Sequence, residues 1–193
     1  MKTITLNKLT VAVFAVLFTT FLFSCQKESS SVTTDMTDEE AVAYTDESAQ
    51  AEASFDDVED VGMIAAEEDG NASTGRGYNP TFEELRLRIG ACATITITPN
   101  DSTYPKTITI DFGNGCICAD GKFRKGAIII HLTGPIRRSG SVMTINFRDF
   151  YLNRAHIEGT KVVSNLSENS NIKFTVQVVG GKVTFPNGRG WQY

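Results

Sequence analysis

The sequence predicts an all-β domain, an antiparallel meander or sandwich of about seven strands, preceded by an acidic tether that is disordered or partly helical. Three observations support this fold class. After Arg76, several runs alternate apolar and polar side chains with period two, which is typical of strands with one buried face. Turn-forming pairs such as Asn114-Gly115 and Asp120-Gly121 separate the runs. The net charge also changes sign near residue 76.

The charge divides the chain into two parts. Residues 26–75 hold fifteen Asp and Glu against one Lys, whereas residues 76–193 hold eight acids against fifteen Lys and Arg. The overall net charge of -5 therefore hides two opposite halves. Because the acidic part has few large apolar residues, we expect residues 25–75 to be a largely disordered linker. Its segments Asp38–Tyr44 and Phe55–Glu68 carry apolar residues at helical spacing, which favours transient helices or one docked helix.

The basic part, residues 76–193, is expected to form one β-domain. One helical turn is predicted at Pro80–Ile89, where Thr81 is a suitable cap and Leu85 and Ile89 share a face. The predicted strands are Ala91–Thr98, Thr107–Asp111, Gly126–Thr133, Ser141–Tyr151, His156–Ser164, Ile172–Val179 and Lys182–Phe185. A turn at Gly180-Gly181 would separate the last two.

The first 24 residues have the layout of a secretory signal peptide. Lys2 and Lys8 precede a run, residues 9–23, that is apolar except for its threonines. The end of this run and the two residues after it, Leu22-Phe23-Ser24-Cys25, resemble the lipobox of bacterial lipoproteins. That resemblance implies cleavage before Cys25 and attachment of lipid, such as diacylglycerol and palmitate, to its thiol. The alternatives are an ordinary signal peptide with a chance cysteine and an uncleaved anchor.

The resemblance also implies a location. A lipid on Cys25 would hold the chain at a membrane of the bacterial cell envelope. Gln26-Lys27-Glu28-Ser29 is similar to the signals that direct some lipoproteins to the outside of the outer membrane. The expected partner is therefore the membrane itself, and surface exposure is an expectation that follows from this short motif.

A second resemblance covers Cys92 to Asn187. The elements Thr109–Cys116 (TIDFGNGC), Asp120–Gly126 (DGKFRKG) and Ile157–Thr160 (IEGT) resemble those of a group of bacterial lipoproteins of undefined function. The resemblance implies an exported, β-rich domain and assigns no catalytic residue. Members of the group continue with further strands beyond the segment matching residues 184–188. A truncated or partnered domain with an open sheet edge is therefore one expectation.

Three cysteines remain besides Cys25, and an exported chain is in a compartment that permits disulfides. A disulfide between Cys92 and Cys116 is the favoured interpretation, and one between Cys92 and Cys118 is the alternative. A zinc site made from the three thiols and His131 is disfavoured, because the spacing matches no standard zinc motif. We therefore predict no metal and no cofactor.

A candidate ligand face follows from the basic excess and its aromatic neighbours. Its residues are Lys122, Phe123, Arg124, Lys125, Arg148 and Tyr151. Such a surface can bind a polyanion or a glycan, although part of it can instead complement the acidic tether. Nucleic acid is not an expected partner of an exported lipoprotein.

No catalytic constellation is evident in the sequence. No G-x-S-x-G nucleophile motif occurs, and His131 and His156 are interpreted as exposed strand residues. A pair drawn from Asp111, Asp120, Asp149 and Glu158 would serve a glycan hydrolase, which is the alternative function. The favoured interpretation is a non-enzymatic envelope lipoprotein with a binding, adhesion or structural role.

Overall fold

A single antiparallel sheet forms the body of the chain. The computed structural model describes residues 37–74, 77–169 and 171–193. Its strands are β1 (Thr94–Thr98), β2 (Lys106–Asp111), β3 (Cys116–Ile117), β4 (Phe123–Leu132), β5 (Val142–Leu152), β6 (Ala155–Asn165), β7 (Phe174–Thr184) and β8 (Gly190–Gln192). They follow the order β1-β2-β4-β5-β6-β7-β8 in the sheet, with the short β3 paired to β4. This arrangement confirms the predicted antiparallel fold class and takes its meander form. The signal peptide, the lipobox and Cys25 lie outside the described residues.

The last part of the sheet differs from the prediction. The segments predicted as two strands form the single strand β7, and Gly180-Gly181 lies inside it rather than in a turn. The β6–β7 register shifts between Glu158 and Thr160, so the glycines accommodate a bulge. A Cβ on Gly159, whose φ is 113°, would lie 2.7 Å from the Cα of Gly181, which explains why both strands carry glycine here.

Most of the acidic segment is one docked helix. Helix α1 (Asp38–Ser73) is 36 residues long, so the structure has the docked-helix alternative over this range rather than a disordered linker. Its buried positions recur at intervals of three and four, which is the spacing of one helical face. They are Ala51, Ser54, Phe55, Asp57, Val58, Val61, Gly62, Ala65, Ala66, Asp69 and Gly70.

The buried face of α1 is made mainly of small residues, and this lets the helix lie close to the sheet. A Cβ on Gly62 would lie 2.7 Å from Cδ1 of Ile145 on β5. Phe55 is the large exception; it is 2% exposed and makes edge contacts with Phe147 and Tyr193. Helix and sheet belong to one unit, Asp38–Tyr193. The folded unit therefore begins well before the expected boundary at residue 76.

The predicted helical turn is present as α2 (Glu83–Ile89), with Leu85 and Ile89 buried as expected. The predicted cap, Thr81, does not lie at its start, because Phe82 occupies that position and caps nothing through its side chain. Instead, the carboxylate of Glu68 on α1 accepts hydrogen bonds from the backbone amides of Glu84 and Leu85 at 3.0 and 3.1 Å. One helix therefore supplies the N-terminal cap of the other.

The sheet has two faces of different character. The inner face, which α1 covers, carries buried residues such as Ile108 and Ile110 on β2 and Ile128 and Ile130 on β4. Side chains alternate along each strand, so Thr107 and Thr109 lie on the opposite, outer face. No described helix or strand covers that outer face.

One edge of the sheet is partly open. Strand β8 pairs with Lys182–Thr184 only, whereas β7 begins at Phe174. Among the described residues, no strand pairs with Phe174–Val179 on the side away from β6. Val176 and Val179 are about half exposed there, at 48% and 52%. An open edge of this kind can accept another strand.

Candidate functional site

The predicted ligand face is divided between the two faces of the sheet. Arg124 on β4 is fully buried on the inner face, whereas its neighbour Lys125 is exposed on the outer face. Lys122, just before β4, also bonds inward, to Asp57 of α1. The alternation of a strand explains this division, because adjacent residues point to opposite faces. The structure therefore does not bring the six predicted residues together in one surface.

The inner half is an ion-pair network centred on Asp57. Nη2 of Arg124 lies 2.8 Å from Oδ2 of Asp57, and Arg88 and Lys122 bond to Oδ1 at 2.9 and 2.5 Å. Arg124 also donates to both carboxylate oxygens of Asp120 at 2.9 and 2.7 Å. These basic groups therefore already have acidic partners within the chain.

Asp57 is held in its charged form by this network. Burial by itself raises its pKa, but the hydrogen bond from Lys122 and the charge of Arg124 outweigh that effect and leave the pKa below its ordinary value. The pKa of Asp120 is lowered as well, because hydrogen bonds from Arg124 and the Lys122 amide outweigh burial. Both acids are thus ionised at neutral pH and serve as partners for buried cations.

A second inner-face ion pair joins Lys106 on β2 to Asp69 on α1. Nζ lies 3.0 Å from Oδ1, and neither side chain is exposed. Tyr78 and Tyr104 donate their hydroxyls to the same carboxylate at 2.5 and 2.6 Å. Burial and the bond to Asp69 raise the pKa of Tyr104 to about 12. These tyrosines therefore stay protonated and act as hydrogen-bond donors.

A third inner-face contact holds Lys161 of β6. Its Nζ donates to the carbonyl of Phe55 at 3.0 Å and lies 2.6 Å from Oε2 of Glu59. The sheet thus presents three buried cations, Lys106, Arg124 and Lys161, and α1 brings an acid to each. Part of the excess of basic residues in the sheet therefore neutralises the acids of α1.

These three cations include two that sequence reasoning missed. Lys106 and Lys161 were not singled out, although each occupies an inward position of its strand. Lys106 lies on the same face of β2 as Ile108, and Lys161 lies on the same face of β6 as Val163. A lysine at the inward position of an alternating run was the available signal. Asp57 and Asp69 carried no such signal, because they are two among fifteen acids in their segment.

The outer half of the predicted face is a row of stacked side chains. Lys125, Tyr151 and His156 are register partners on β4, β5 and β6. The Tyr151 and His156 rings stack with centroids 4.6 Å apart, and Nζ of Lys125 lies 5.0 Å from the Tyr151 centroid. His156 is half-buried in this row rather than exposed, while His131 is exposed as predicted.

Charged pairs flank this row on the outer face. Arg148 bonds to Asp111 at 2.6 Å, and Lys182 lies 3.3 Å from Glu158, with all four side chains between 40% and 56% exposed. We call the set of Asp111, Lys125, Arg148, Tyr151, His156, Glu158 and Lys182 the outer patch. It combines cations, anions and an aromatic ring on a sheet face that no described element covers. Phe123 lies nearby, with its ring against Gly115.

Beyond the outer patch, the outer face is a lattice of short polar side chains. Thr96, Thr109, Ile129, Asn146 and Thr160 are register partners across five strands. The neighbouring row runs through Thr98, Thr107, His131 and Thr144. Two hydrogen bonds join members of these rows, from Thr160 to Asn146 at 2.9 Å and between Thr107 and His131 at 3.4 Å.

The carboxylates considered for hydrolysis do not share one environment. Asp111 and Glu158 lie in the outer patch with different basic partners, and Asp120 belongs to the inner network. Asp149 is exposed, has a positive φ of 45° and lies in the bulge of β5 opposite Gly126. A catalytic pair would need one acid and one base directed at a common bond.

The predicted cysteine pair is joined in the structure. Cys92 and Cys116 form a disulfide with a Cα separation of 5.8 Å, and Cys118 is a buried free thiol. The three Sγ atoms all lie within 4.8 Å of one another, so the alternative partner of Cys92 is close at hand. His131 lies on the outer face beside Thr107 and takes no part in this cluster.

Comparison with known proteins finds no match among protein-family models, curated sequences or solved structures. Within residues 37–74, 77–169 and 171–193, no helix is both long enough and apolar enough to cross a membrane.

Proposed function

We propose that the chain is a non-catalytic lipoprotein of the bacterial cell envelope, anchored by lipid on Cys25, whose sheet binds an envelope component through its outer face. The observation that carries the binding role is the asymmetry of the sheet. Helix α1 closes the inner face with ion pairs, while the outer face, which no helix or strand of the described residues covers, carries the outer patch. Its charged groups offer hydrogen-bond donors and acceptors to a ligand, and Tyr151 offers an aromatic ring.

The proposed address is the outer membrane, with exposure at the cell surface. Its support is the sequence alone: Lys2 and Lys8, the apolar run of residues 9–23, the lipobox-like Leu22–Cys25 and the sorting-like Gln26–Ser29.

Docking of α1 limits how far the proposed anchor can let the domain move. Only twelve residues separate Cys25 from Asp38, where α1 begins. Even a fully extended chain of that length spans at most about 45 Å. The folded unit would therefore begin within about 45 Å of the anchored cysteine.

A glycan is the ligand class that the outer patch fits best. Charged pairs and the threonine lattice offer both donors and acceptors for hydroxyl groups, and Tyr151 adds an aromatic ring. The alternative, a hydrolase acting on glycans, finds less support, because Asp111, Asp120 and Glu158 each lie in an ion pair with a different basic residue.

The anchor can be tested by mass spectrometry of the membrane-extracted protein. We expect the chain to begin at Cys25 and to carry a diacylglyceryl group and further acyl chains. A Cys25→Ala variant should stay unprocessed or be released from the membrane. Recovery of a wild-type chain with an unmodified Cys25 thiol would contradict the anchor and leave the binding proposal to be tested separately.

The binding role can be tested with a soluble chain that begins at residue 25 with Cys25→Ser. We expect it to retain one or more members of a panel of envelope polysaccharides, and Tyr151→Ala or Lys125→Ala to weaken retention at least tenfold. Lys173→Ala is the matched control, because Lys173 is exposed outside the outer patch. Turnover of a polysaccharide that an Asp111 or Glu158 substitution abolishes would instead support the hydrolase.

A further inference from the structure

The three cysteines meet beside the end of β3, although they come from separate parts of the chain. Cys92 follows α2, Cys116 begins β3 and Cys118 comes directly after it. Their Sγ atoms all lie within 4.8 Å of one another, and two of them form the disulfide. A thiol this close to a disulfide is within reach of either sulfur after a small side-chain rotation.

The free thiol is the most buried of the three groups. Cys118 is 4% exposed, and its backbone is fixed by hydrogen bonds with Lys122 and Gly121 at 2.8 and 2.9 Å. Cys116 is half-buried and precedes Ile117, which is 76% exposed. The disulfide thus occupies the accessible cysteine and leaves the shielded one free.

We propose that this cluster is a thiol–disulfide exchange site in which Cys118 displaces Cys116 from Cys92. The Cys118 thiolate attacks Sγ of Cys92, a Cys92–Cys118 bond forms, and the Cys92–Cys116 bond breaks with its electron pair on Sγ of Cys116. The proton given up by Cys118 is returned to Cys116. The step is an isomerisation, so it consumes neither an oxidant nor a reductant.

The local structure suits such an exchange. Strand β3 has only two residues, and its register pairs are Cys116 with Arg124 and Ile117 with Phe123. Because Cys116 and Cys118 are two residues apart, an extended backbone directs them to the same side, where Cys92 lies. The guanidinium of Arg124 lies beside the Cys118 thiol and favours its thiolate, although burial raises the thiol pKa overall.

The consequence is a change in which thiol is available. Before exchange, the free thiol is the shielded Cys118; after exchange, it is the half-buried Cys116 at the surface end of β3. The second isomer therefore presents a site for covalent modification by a soft electrophile, or for a mixed disulfide with a disulfide-bearing partner. The Cys116 thiol would be unavailable for reaction while the Cys92–Cys116 bond is intact.

The test locates the free thiol in the folded chain. The chain that begins at residue 25 with Cys25→Ser is incubated with N-ethylmaleimide at neutral pH without denaturant. It is then digested at acidic pH, and fragment ions assign the label to Cys116 or Cys118. We expect the label to accumulate on Cys116. Label on Cys118 alone, or label that appears only after unfolding, would overturn the proposal.

Two variants make the result specific. Cys118→Ser removes the attacking thiol, so it should keep the Cys92–Cys116 bond and take up no label. Cys116→Ser should form the Cys92–Cys118 bond and keep the circular dichroism spectrum of the parent chain. A folded Cys116→Ser chain with two reactive thiols would contradict the proposal, and if this variant does not fold, the labelling of the parent chain decides.

Discussion

Asp57 on α1 and Arg124 on β4, 67 residues apart in sequence, form a buried ion pair in which Nη2 contacts both carboxylate oxygens at 2.9 and 2.8 Å. The two side chains are 1% and 0% exposed. Removing two charges from water is costly, and the loss is offset only when geometry and further hydrogen bonds are good. Here Arg88, Lys122 and Asp120 supply those bonds. The pair therefore fixes where the helix lies on the sheet.

Replacing Asp57 by Asn should destabilise the fold at neutral pH by about 3 kcal/mol, because it leaves a buried guanidinium with less compensation. The folded-state pKa of Asp57 is depressed, so its contribution is present above the ordinary value of 3.8 and is lost as the pH falls through the folded value. The difference between the two chains should thus shrink below about pH 4. Urea unfolding at pH 7 and at pH 3.5 measures both quantities.

Asp60→Asn is the control for that experiment. Asp60 is 62% exposed and contacts Arg88 at 3.2 Å, so its loss should change the free energy of unfolding by less than about 0.5 kcal/mol. Equal effects of the two substitutions would show that burial of the Asp57–Arg124 pair does not increase its contribution to the free energy of unfolding.

Removing the carboxylate that caps α2 should also weaken the fold. Glu68→Ala leaves the amides of Glu84 and Leu85 without their acceptor and should cost about 1 kcal/mol. Glu67→Ala makes the same change one position earlier, where the partner, Arg137, is 59% exposed. Because helix propensity changes equally in both, the difference in their urea midpoints reports the cap. No difference would exclude a capping role for Glu68.

Much of the sheet was predictable because its signals are local. The alternating runs are visible without tertiary context, and the Cys92–Cys116 disulfide was the favoured of two interpretations; the structure has both. The docking of α1 was harder to predict, since its contact face is made mainly of small residues and its acids resemble those of a solvated linker. The acids of α1 stabilise the fold only because the inner face of the sheet carries their partners, Lys106, Arg124 and Lys161.

The residues of the candidate face are divided between two faces of the sheet for a related reason. Sequence proximity groups Lys122, Phe123, Arg124 and Lys125, but a strand sends alternate side chains to opposite faces. Distinguishing the inner from the outer cations required knowing that the acidic segment covers one face. The Gly180-Gly181 pair was similarly ambiguous, because glycines serve bulges as well as turns.

Two glycine-to-alanine substitutions should have opposite effects. A Cβ on Gly70 of α1 would lie 3.6 Å from Pro135, an ordinary contact, so Gly70→Ala should stabilise by about 0.5 kcal/mol through helix propensity. Gly126 has φ +80°, and a Cβ there would collide with the backbone of Asp149. Gly126→Ala should therefore destabilise by about 2 kcal/mol or more. In thermal unfolding, the midpoint of Gly70→Ala should rise above that of the parent chain and the midpoint of Gly126→Ala should fall below it. A shift of both midpoints in the same direction would contradict this prediction.

The last prediction concerns which part of the chain folds on its own. A fragment of residues 76–193 would expose the inner-face Ile128 and Ile130 and would leave Lys106, Arg124 and Lys161 without their acids. The exposed apolar surface opposes folding, and the three cations lose the acids that pair with them in the complete unit. We therefore expect this fragment to aggregate or to unfold without a cooperative transition. A chain of residues 37–193 should unfold in one cooperative step in urea. Adding a peptide of residues 37–75 to the shorter fragment should restore the sheet spectrum, which would show that the defect is the missing helix. A cooperative transition of the 76–193 fragment at the same urea midpoint would mean that α1 contributes nothing to the stability of the sheet.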